Sequence, residues 1–263
     1  MSMQYDSVLD KFRLVGKNIV ITGGSRGLGL EFARALASVG ANIATIDLGD
    51  EPSEELVSLS SMYKEGKFKY YKSNVVDYNY MKETIDKIYG DFGSIDGCIP
   101  AAGVICDRPF LEHTEVDFRS STDVNINGVM FTVQHCAAKM VEQRTGGSIV
   151  CIASTAGHKS LYPQTITAYT ASKYAVRGIA KQVAHELAQY NIRVNSISPG
   201  VILTDMLEAV MKQNPSRRRL FEESNAMGRL ATPSELAGII LYLMSDASSY
   251  TTGQDFLIDG GMV

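Results

Sequence analysis

Between Lys17 and Asp47 the chain alternates in a way that few folds accommodate. Asn18 to Thr22 (N-I-V-I-T) is a short apolar, β-branched run, and Gly23-Gly24-Ser25-Arg26-Gly27-Leu28-Gly29 follows it. Leu30 to Val39 then carries apolar residues at helical spacing, Gly40 stops that helix, and Ala41 to Ile46 resumes as a strand. A strand running through a glycine turn into a helix and back to a strand is the unit that sets a pyrophosphate on a helix N-terminus. Its glycines permit positive φ, let backbone approach phosphate, and pack helix close on strand. The spacing is T-G-x-x-x-G-x-G rather than G-x-G-x-x-G, and a tight turn with no ligand is the competing reading.

Asp47 closes the second strand where an acid would accept hydrogen bonds from an adenosine ribose. A carboxylate there repels a 2′-phosphate and argues for NAD. Arg26, whose guanidinium in the turn can reach such a phosphate, argues for NADP. NAD is the favoured cofactor, and an exposed strand-end acid without a ligand is the plainer alternative for Asp47.

The alternation continues without a linker. Pro52 to Glu65 reads as helix, Phe68 to Ser73 as strand, Tyr78 to Tyr89 as helix and Ile95 to Ile99 as strand. Asn125 to Glu142, Ala168 to Tyr190 and Pro233 to Met244 read as helices; Gly147 to Ala153, Ile192 to Ile197 and Phe256 to Ile258 as strands. This pattern predicts an α/β class, one doubly wound parallel sheet of Rossmann type with helices on both faces. With 263 residues, the expectation is a single domain over 1–263, with 1–15 as an N-terminal extension. Ligands of such sheets bind outside the carboxyl ends of the strands, where Asn74-Val75 and Ala101-Ala102-Gly103 fall. Thr204 to Asn225 is long, Met-rich and interrupted by Pro215; residues 203–226 read either as a flap over a pocket or as an ordinary surface helical pair.

Asn125 to Glu142 is apolar or small around most of its circumference, and Ala168 to Tyr190 has a narrow face of Ala171, Ala175, Gly178 and Ile179. Helices of that kind need a partner besides their own sheet, which predicts a homo-oligomer, tetramer or dimer. A net charge of -4 gives no general attraction for nucleic acid or anionic membrane. The basic run Arg217-Arg218-Arg219 reads as solvated helix surface. Cys98, Cys106, Cys136 and Cys151 show no C-x-x-C spacing, so a reducing compartment is expected. No apolar signal core and no membrane-length run is present, which makes the cytoplasm the expected location. His113 and His135 lack metal-ligand companions, and no metal site is expected.

Tyr169 and Lys173 stand four apart in a predicted helix and so share a face. A fixed ammonium beside a phenol favours phenolate and is expected to lower the tyrosine pKa from about 10, fitting it to exchange a proton with an alcohol or ketone oxygen. Tyr-x-x-x-Lys alone also describes many ordinary surface pairs; its surroundings decide.

Those surroundings are T-G-G-S-R-G-L-G (Thr22 to Gly29), Asp47, Asn74-Val75, A-A-G (Ala101 to Gly103), Asn125, S-T-A-G (Ser154 to Gly157), Y-T-A-S-K (Tyr169 to Lys173), S-P-G-V-I-L-T (Ser198 to Thr204) and T-G-Q-D-F-L-I-D-G-G (Thr252 to Gly261). With these in order, the chain resembles the short-chain dehydrogenase/reductase family over essentially its whole length. Tyr162-Pro163-Gln164 ahead of A-Y-T-A-S-K is most similar to the fungal branch acting on polyols, ketoses and simple ketones.

The resemblance implies roles. Tyr169 would be the general acid/base, with Lys173 lowering its pKa and binding the nicotinamide ribose. Ser154 would hold the substrate oxygen, and Asn125 would position a water linking Lys173 to solvent. Gly23, Ser25, Arg26, Leu28 and Gly29 would line the pyrophosphate turn, Asp47 would take the adenosine ribose, and Asn74 and Val75 the adenine. Ala102 and Gly103 would border the cofactor, with Pro199, Gly200, Ile202 and Thr204 at its nicotinamide end. His158, Tyr162, Gln164, Met206 and Leu207 are candidate substrate contacts, each equally readable as loop packing. Where the family commonly has N-N-A-G, this chain reads Pro100-Ala101-Ala102-Gly103, and Pro100 removes a backbone donor at a strand end. The implied activity is hydride transfer between NAD(P) and a secondary alcohol or ketone. A non-catalytic cofactor sensor, or a biosynthetic reductase of a larger imine, enone or ketone, shares much of the same sequence.

Overall fold

Seven apolar runs become seven strands, and every pairing between them is parallel. They are β1 (Asn18–Thr22), β2 (Asn42–Asp47), β3 (Phe68–Lys72), β4 (Gly97–Pro100), β5 (Gly147–Ile152), β6 (Ile192–Pro199) and β7 (Asp255–Ile258), in the order β3-β2-β1-β4-β5-β6-β7. The computed structural model describes residues 7–63, 66–204, 207–208, 211–212 and 215–263. The chain reverses direction of growth between β1 and β4, which makes their carboxyl ends the crevice where ligands of such sheets lie.

The named helices among the described residues are α1 (Gly27–Ala37), α2 (Glu54–Met62), α3 (Tyr78–Phe92), α4 (Glu115–Thr122), α5 (Val129–Gln143), α6 (Thr167–Leu187), α7 (Ser216–Glu223) and α8 (Ala237–Met244), and all but α4 and α7 contribute to the core on the two sheet faces. Alternation along the strands divides the core. Ile19, Ile21, Ile99, Val150 and Ile197 face Phe32, Leu36, Ile240 and Leu243 of α1 and α8. Val20, Cys98, Ile149, Cys151 and Val194 face Ile85, Cys136, Met140 and Val176 of α3, α5 and α6. Both faces being buried explains why these strands read as continuous apolar runs rather than alternating ones.

The helix boundaries differ from the sequence reading where polar residues intervene. α4 was not expected; a Thr114–Asp117 capping box starts it. Between α4 and α5 the chain makes one π-helical turn, Asp123–Gly128, so Asn125 sits on that turn and not inside the long helix assigned from its apolar run. The helix after the glycine turn begins at Gly27, three residues earlier than Leu30, where the sequence reading starts it. Pro100 stays in register with Thr22 of β1, but the β4–β5 ladder ends at Cys98–Ile149, two residues short of the proline that cannot donate to it.

Of the arginine run, Arg218 and Arg219 do pair along the surface with Glu222 and Glu223. Arg217 instead turns inward and pairs with Asp107. His135 on α5 meets the carbonyl of Tyr78 at 3.1 Å, as an ordinary helix residue.

Candidate active site

The glycine turn is shaped by backbone contact. Gly23 has φ of +66° and Gly27 of +55°. A Cβ on Gly23 would lie 2.8 Å from Ala102 Cα, and one on Gly29 would overlap Gly23 O and sit 2.8 Å from Gly23 C. Arg26, the residue capping α1, supplies no side-chain hydrogen bond to the helix start, so the first amides of α1 stay available to an anion. Ala102 N–H donates to Thr22 Oγ1 at 3.2 Å, which ties the Ala101–Gly103 wall to β1 without the amide side chains the family commonly has. A bare, tightly approached cradle beside an uncapped helix start fits a dinucleotide pyrophosphate.

At the end of β2, Asp47 Oδ2 accepts from Ser25 N–H at 3.1 Å and Oδ1 from Leu48 N–H at 2.9 Å, which holds the carboxylate against the glycine turn. Arg26 is exposed and belongs to no ion pair among the described residues. Val75, buried, packs on Gly128, and Asn74 lies exposed at the end of β3. Gly200 N–H donates to Ile258 O at 3.0 Å, placing Pro199 and Gly200 at the carboxyl end of β6. Ile202 forms a parallel bridge with Ala231, and Thr204 O accepts from Glu208 N–H. These residues line the same end of the sheet as the glycine turn.

The four expected catalytic residues converge from three elements. Ser154, just past β5, is buried, and its Oγ accepts from Ala156 N–H at 3.1 Å. Asn125 is wholly buried: its Nδ2 donates to Val104 O (2.9 Å) and Ser172 Oγ (3.0 Å), and its Oδ1 accepts from Val104 N–H (2.9 Å). The π-helical turn thereby locks the loop after β4 to α6. Ser172 was overlooked in the sequence because a serine inside Y-T-A-S-K carries no signal of what it bonds. Lys173 is 5% exposed, donates to Ile152 O at 2.8 Å, and sits 5.3 Å from the centre of the Tyr169 ring.

The electrostatics correct one expectation. Tyr169 is not depressed; burial pushes its phenol above the ordinary value, and the facing Ser154 hydroxyl offsets only part of that. Lys173 bears the cost too, since burial brings it down to about 8. It meets no carboxylate among the described residues. At ~1.36 kcal/mol per pKa step, charging Lys173 in the fold costs about 3 kcal/mol. The unfolded chain binds more protons between about 8 and 10.5, so this penalty is complete below 8 and fades as pH rises to 10.5. Lys173→Met is therefore expected to unfold at a higher temperature than wild type at pH 6, with the gap closing by pH 10.5; calorimetry at the two pH values checks it.

The expected substrate contacts divide. Gln164 lines a cleft of about 160 Å³ with Ser160, Leu161, Leu220, Phe221 and Met262. Tyr162 borders the same cleft but is 94% exposed, so it stands on the rim. His158 is held by the protein itself: its Nε2 lies 2.6 Å from Oδ2 of the half-buried Asp255 on β7 and 3.1 Å from Ser198 Oγ. Leu207 is half-buried with its N–H on Thr204 Oγ1, and Met206 lies outside the described residues. Among the described residues no cluster of three His, Cys, Asp or Glu could hold a metal, and no helix is long and apolar enough to cross a membrane.

A nucleotide cradle, a buried lysine with no counter-ion among the described residues, and a tyrosine and serine at the carboxyl end of a parallel sheet define a nicotinamide-dependent oxidoreductase. Residues 23–263 match a family profile described as Enoyl-(Acyl carrier protein) reductase. The chain is 36% identical over 257 residues to the NADP-dependent mannitol dehydrogenase of Hypocrea jecorina, covering 97% of this chain and 95% of that one. It is equally similar, 36% over 257 residues, to the sorbose reductase of Candida albicans, covering 97% and 90%. The crystal structure of a short-chain type dehydrogenase/reductase from Mycobacterium marinum superposes with a TM-score of 0.92 at 37% identity, covering 98% of this chain and 99% of that one. The chain belongs to the short-chain dehydrogenase/reductase family. It is an NAD(P)-dependent enzyme acting on alcohol or carbonyl groups of small molecules.

Proposed function

We propose that the chain interconverts a polyol and its ketose, or a comparable secondary alcohol and ketone, with Tyr169 as the general acid/base. The observation that carries this reading is Lys173, buried on the face of α6 that also presents Tyr169, opposite Ser154, and paired with no carboxylate among the described residues. A fold keeps such a charge at a cost, and hydroxyl binding is what the charge supplies. The bound nicotinamide would accept or deliver the hydride. Tyr169 would take the alcohol proton in oxidation and return it in reduction, Ser154 would hold the substrate oxygen, and Asn125 would keep the loop after β4 on α6.

Gly23, Ser25, Arg26, Leu28 and Gly29 would hold the pyrophosphate, Asn74 and Val75 the adenine, and Ala102, Gly103, Pro199, Gly200, Ile202 and Thr204 the nicotinamide half. We infer NAD as the preferred cofactor, although the Hypocrea relative is named NADP-dependent. Asp47 is supported by two backbone amides, and the ground beside it is acidic: burial, then Asp47 and Asp50, raise the Tyr70 phenol. Asp47→Asn is expected to raise the NADP/NAD ratio of kcat/KM by about tenfold, the equivalent of ~1.4 kcal/mol of relieved repulsion. A wild type that already prefers NADP would give the choice to Arg26.

The polyol reading draws on the two fungal relatives and on Ser160, Gln164 and Ser224 in the cleft wall. Leu161, Leu220, Phe221 and Met262 in the same wall favour a second reading, a larger and less polar ketone or enone. Absorbance of the reduced nicotinamide, followed with each cofactor across ketoses, polyols, simple ketones and bulky secondary alcohols, separates them. Turnover of none of these overturns both.

The chain is read as one domain over 1–263. Residues 203–226, of which 205–206, 209–210 and 213–214 lie outside the described residues, would act as a flap, a reading supported by Leu220 and Phe221 in the cleft wall and by Arg217, which pairs with Asp107. Exposed Phe110, Leu111, Val116 and Phe118 around α4 support a homo-oligomer, dimer or tetramer. Four free cysteines support a reducing compartment such as the cytoplasm.

A further inference from the structure

We propose that Asp255, His158 and Arg177 are positioning residues that hold the Ser154 turn in register with Tyr169 and Lys173. The inference rests on the catalytic assignment of Ser154 given above. Ser154 reaches the site from the end of β5, whereas Tyr169 and Lys173 come from α6. A catalytic serine and tyrosine must share one substrate oxygen, so their separation needs fixing within a fraction of an ångström.

The turn after Ser154 is clamped to α6 at two points. A Cβ on Gly157 would lie 2.8 Å from Lys173 O, so this residue rests directly on the backbone of the lysine. One helical turn beyond Lys173, Arg177 Nη1 donates to Gly157 O. Arg177 is itself steered by Asp255, whose Oδ2 accepts from Arg177 Nε at 3.2 Å. The same oxygen accepts from His158 Nε2 at 2.6 Å, and His158 is the residue that ends the Ser154 turn. A carboxylate only accepts, so Nε2 carries the proton in this contact.

Asp255 is a hub with a firm base. Ser196 Oγ donates to its Oδ1 at 2.5 Å, and Ser198 Oγ lies 3.0 Å from Oδ1 and 2.9 Å from Oδ2. Both serines are buried on β6, and the Asp255 and His158 side chains are 16% and 14% exposed. Through one carboxylate, β6, β7, the Ser154 turn and α6 are joined, none of these contacts touching the cleft. His158 thus serves the site from behind, by what it holds still.

The test compares Arg177→Met, Arg177→Lys, His158→Phe and His158→Gln with wild type, using the ketone or ketose turned over fastest in the substrate panel. NADH affinity is read separately by fluorescence titration, and folding by thermal unfolding. Arg177→Met and His158→Phe are expected to lower kcat by about 10- to 100-fold, with KM and NADH affinity within about twofold of wild type; Arg177→Lys and His158→Gln recover most of the loss. Combined with Ser154→Ala, Arg177→Met is expected to add little further loss, because both act on one interaction. Losses that add in the double variant, unchanged kcat, a change confined to KM, or a fall in NADH affinity or stability that matches the fall in kcat each overturn the proposal. Undiminished turnover in Ser154→Ala overturns the assignment of Ser154 itself, and is recognised independently of the Arg177 series.

Discussion

Tyr169→Phe is expected to lower kcat by between about 10²- and 10⁴-fold while NADH affinity stays within about twofold of wild type. The substitution keeps the ring 5.3 Å from Lys173 Nζ and removes only the hydroxyl that faces Ser154. Packing is conserved, and the remaining loss is that of the proton donor. Its pH dependence has a definite sign. Burial raises the phenol above its ordinary value, so at neutral pH Tyr169 is protonated and ready to donate. Carbonyl reduction by wild type should therefore hold level through neutral pH and fall at alkaline pH. Alcohol oxidation, which needs the phenolate, should climb over the same alkaline range. Both limbs should vanish in Tyr169→Phe, and stopped-flow traces of nicotinamide absorbance in each direction decide. Turnover equal to wild type would remove Tyr169 from the chemistry.

Gly29→Ala is expected to weaken NADH binding by about a hundredfold. An added Cβ would overlap the Gly23 carbonyl and come within 2.8 Å of its carbon and 3.1 Å of Gly24 Cα. These are backbone atoms, so relief requires the turn to shift by something near an ångström, enough to misplace every amide aimed at the pyrophosphate. Gly90→Ala is the control: it lies in α3 with nothing within 4 Å of its added Cβ. It should leave NADH affinity unchanged and gain up to about 1 kcal/mol of stability from helix propensity. Fluorescence titration of both variants reads the comparison, and equal affinities would mean that the glycine turn does not hold the cofactor.

Much of the architecture was written in local patterns. β-branched runs separated by amphipathic ones specify a parallel sheet with two covered faces, and the glycine turn marks where β1 hands over to α1. Asp47 follows from its place at a strand end and Tyr169 with Lys173 from their four-residue spacing, whereas Asn125 and Ser154 are named through the family resemblance. What local pattern cannot express is where a side chain finds its partner. His158, in a loop beside the catalytic serine, reads as a substrate contact; only the arrival of β7, nearly a hundred residues later, places Asp255 against it. The Tyr169 pKa went astray for a related reason. Four-residue spacing sets Lys173 on the right face, but the burial that dominates both groups comes from residues distant in sequence, with Lys173 Nζ on Ile152 O of β5 and beside Gly103 of the loop after β4. α4 gives little sequence signal because six of its eight residues are polar and its start depends on a capping box, a weaker signal than hydrophobic periodicity.

The β1–β4 pairing also has a bearing on how the pocket comes into being. Ile19 pairs with Gly97, a contact that spans α1, β2, α2, β3 and α3 along the sequence. Such non-local closure is intrinsically slow, because loop entropy must be overcome before any contact rewards it. The glycine turn itself is local and forms with β1 and α1, but its opposite wall, Ala101 and Ala102, arrives with β4. A dinucleotide therefore has nothing complete to bind until the centre of the sheet has closed. Once it binds, it favours closed chains by mass action, by about 2.7 kcal/mol at a hundredfold excess over Kd. Cofactor supply thus acts on how much of this enzyme stands folded, as well as on how fast each folded copy works.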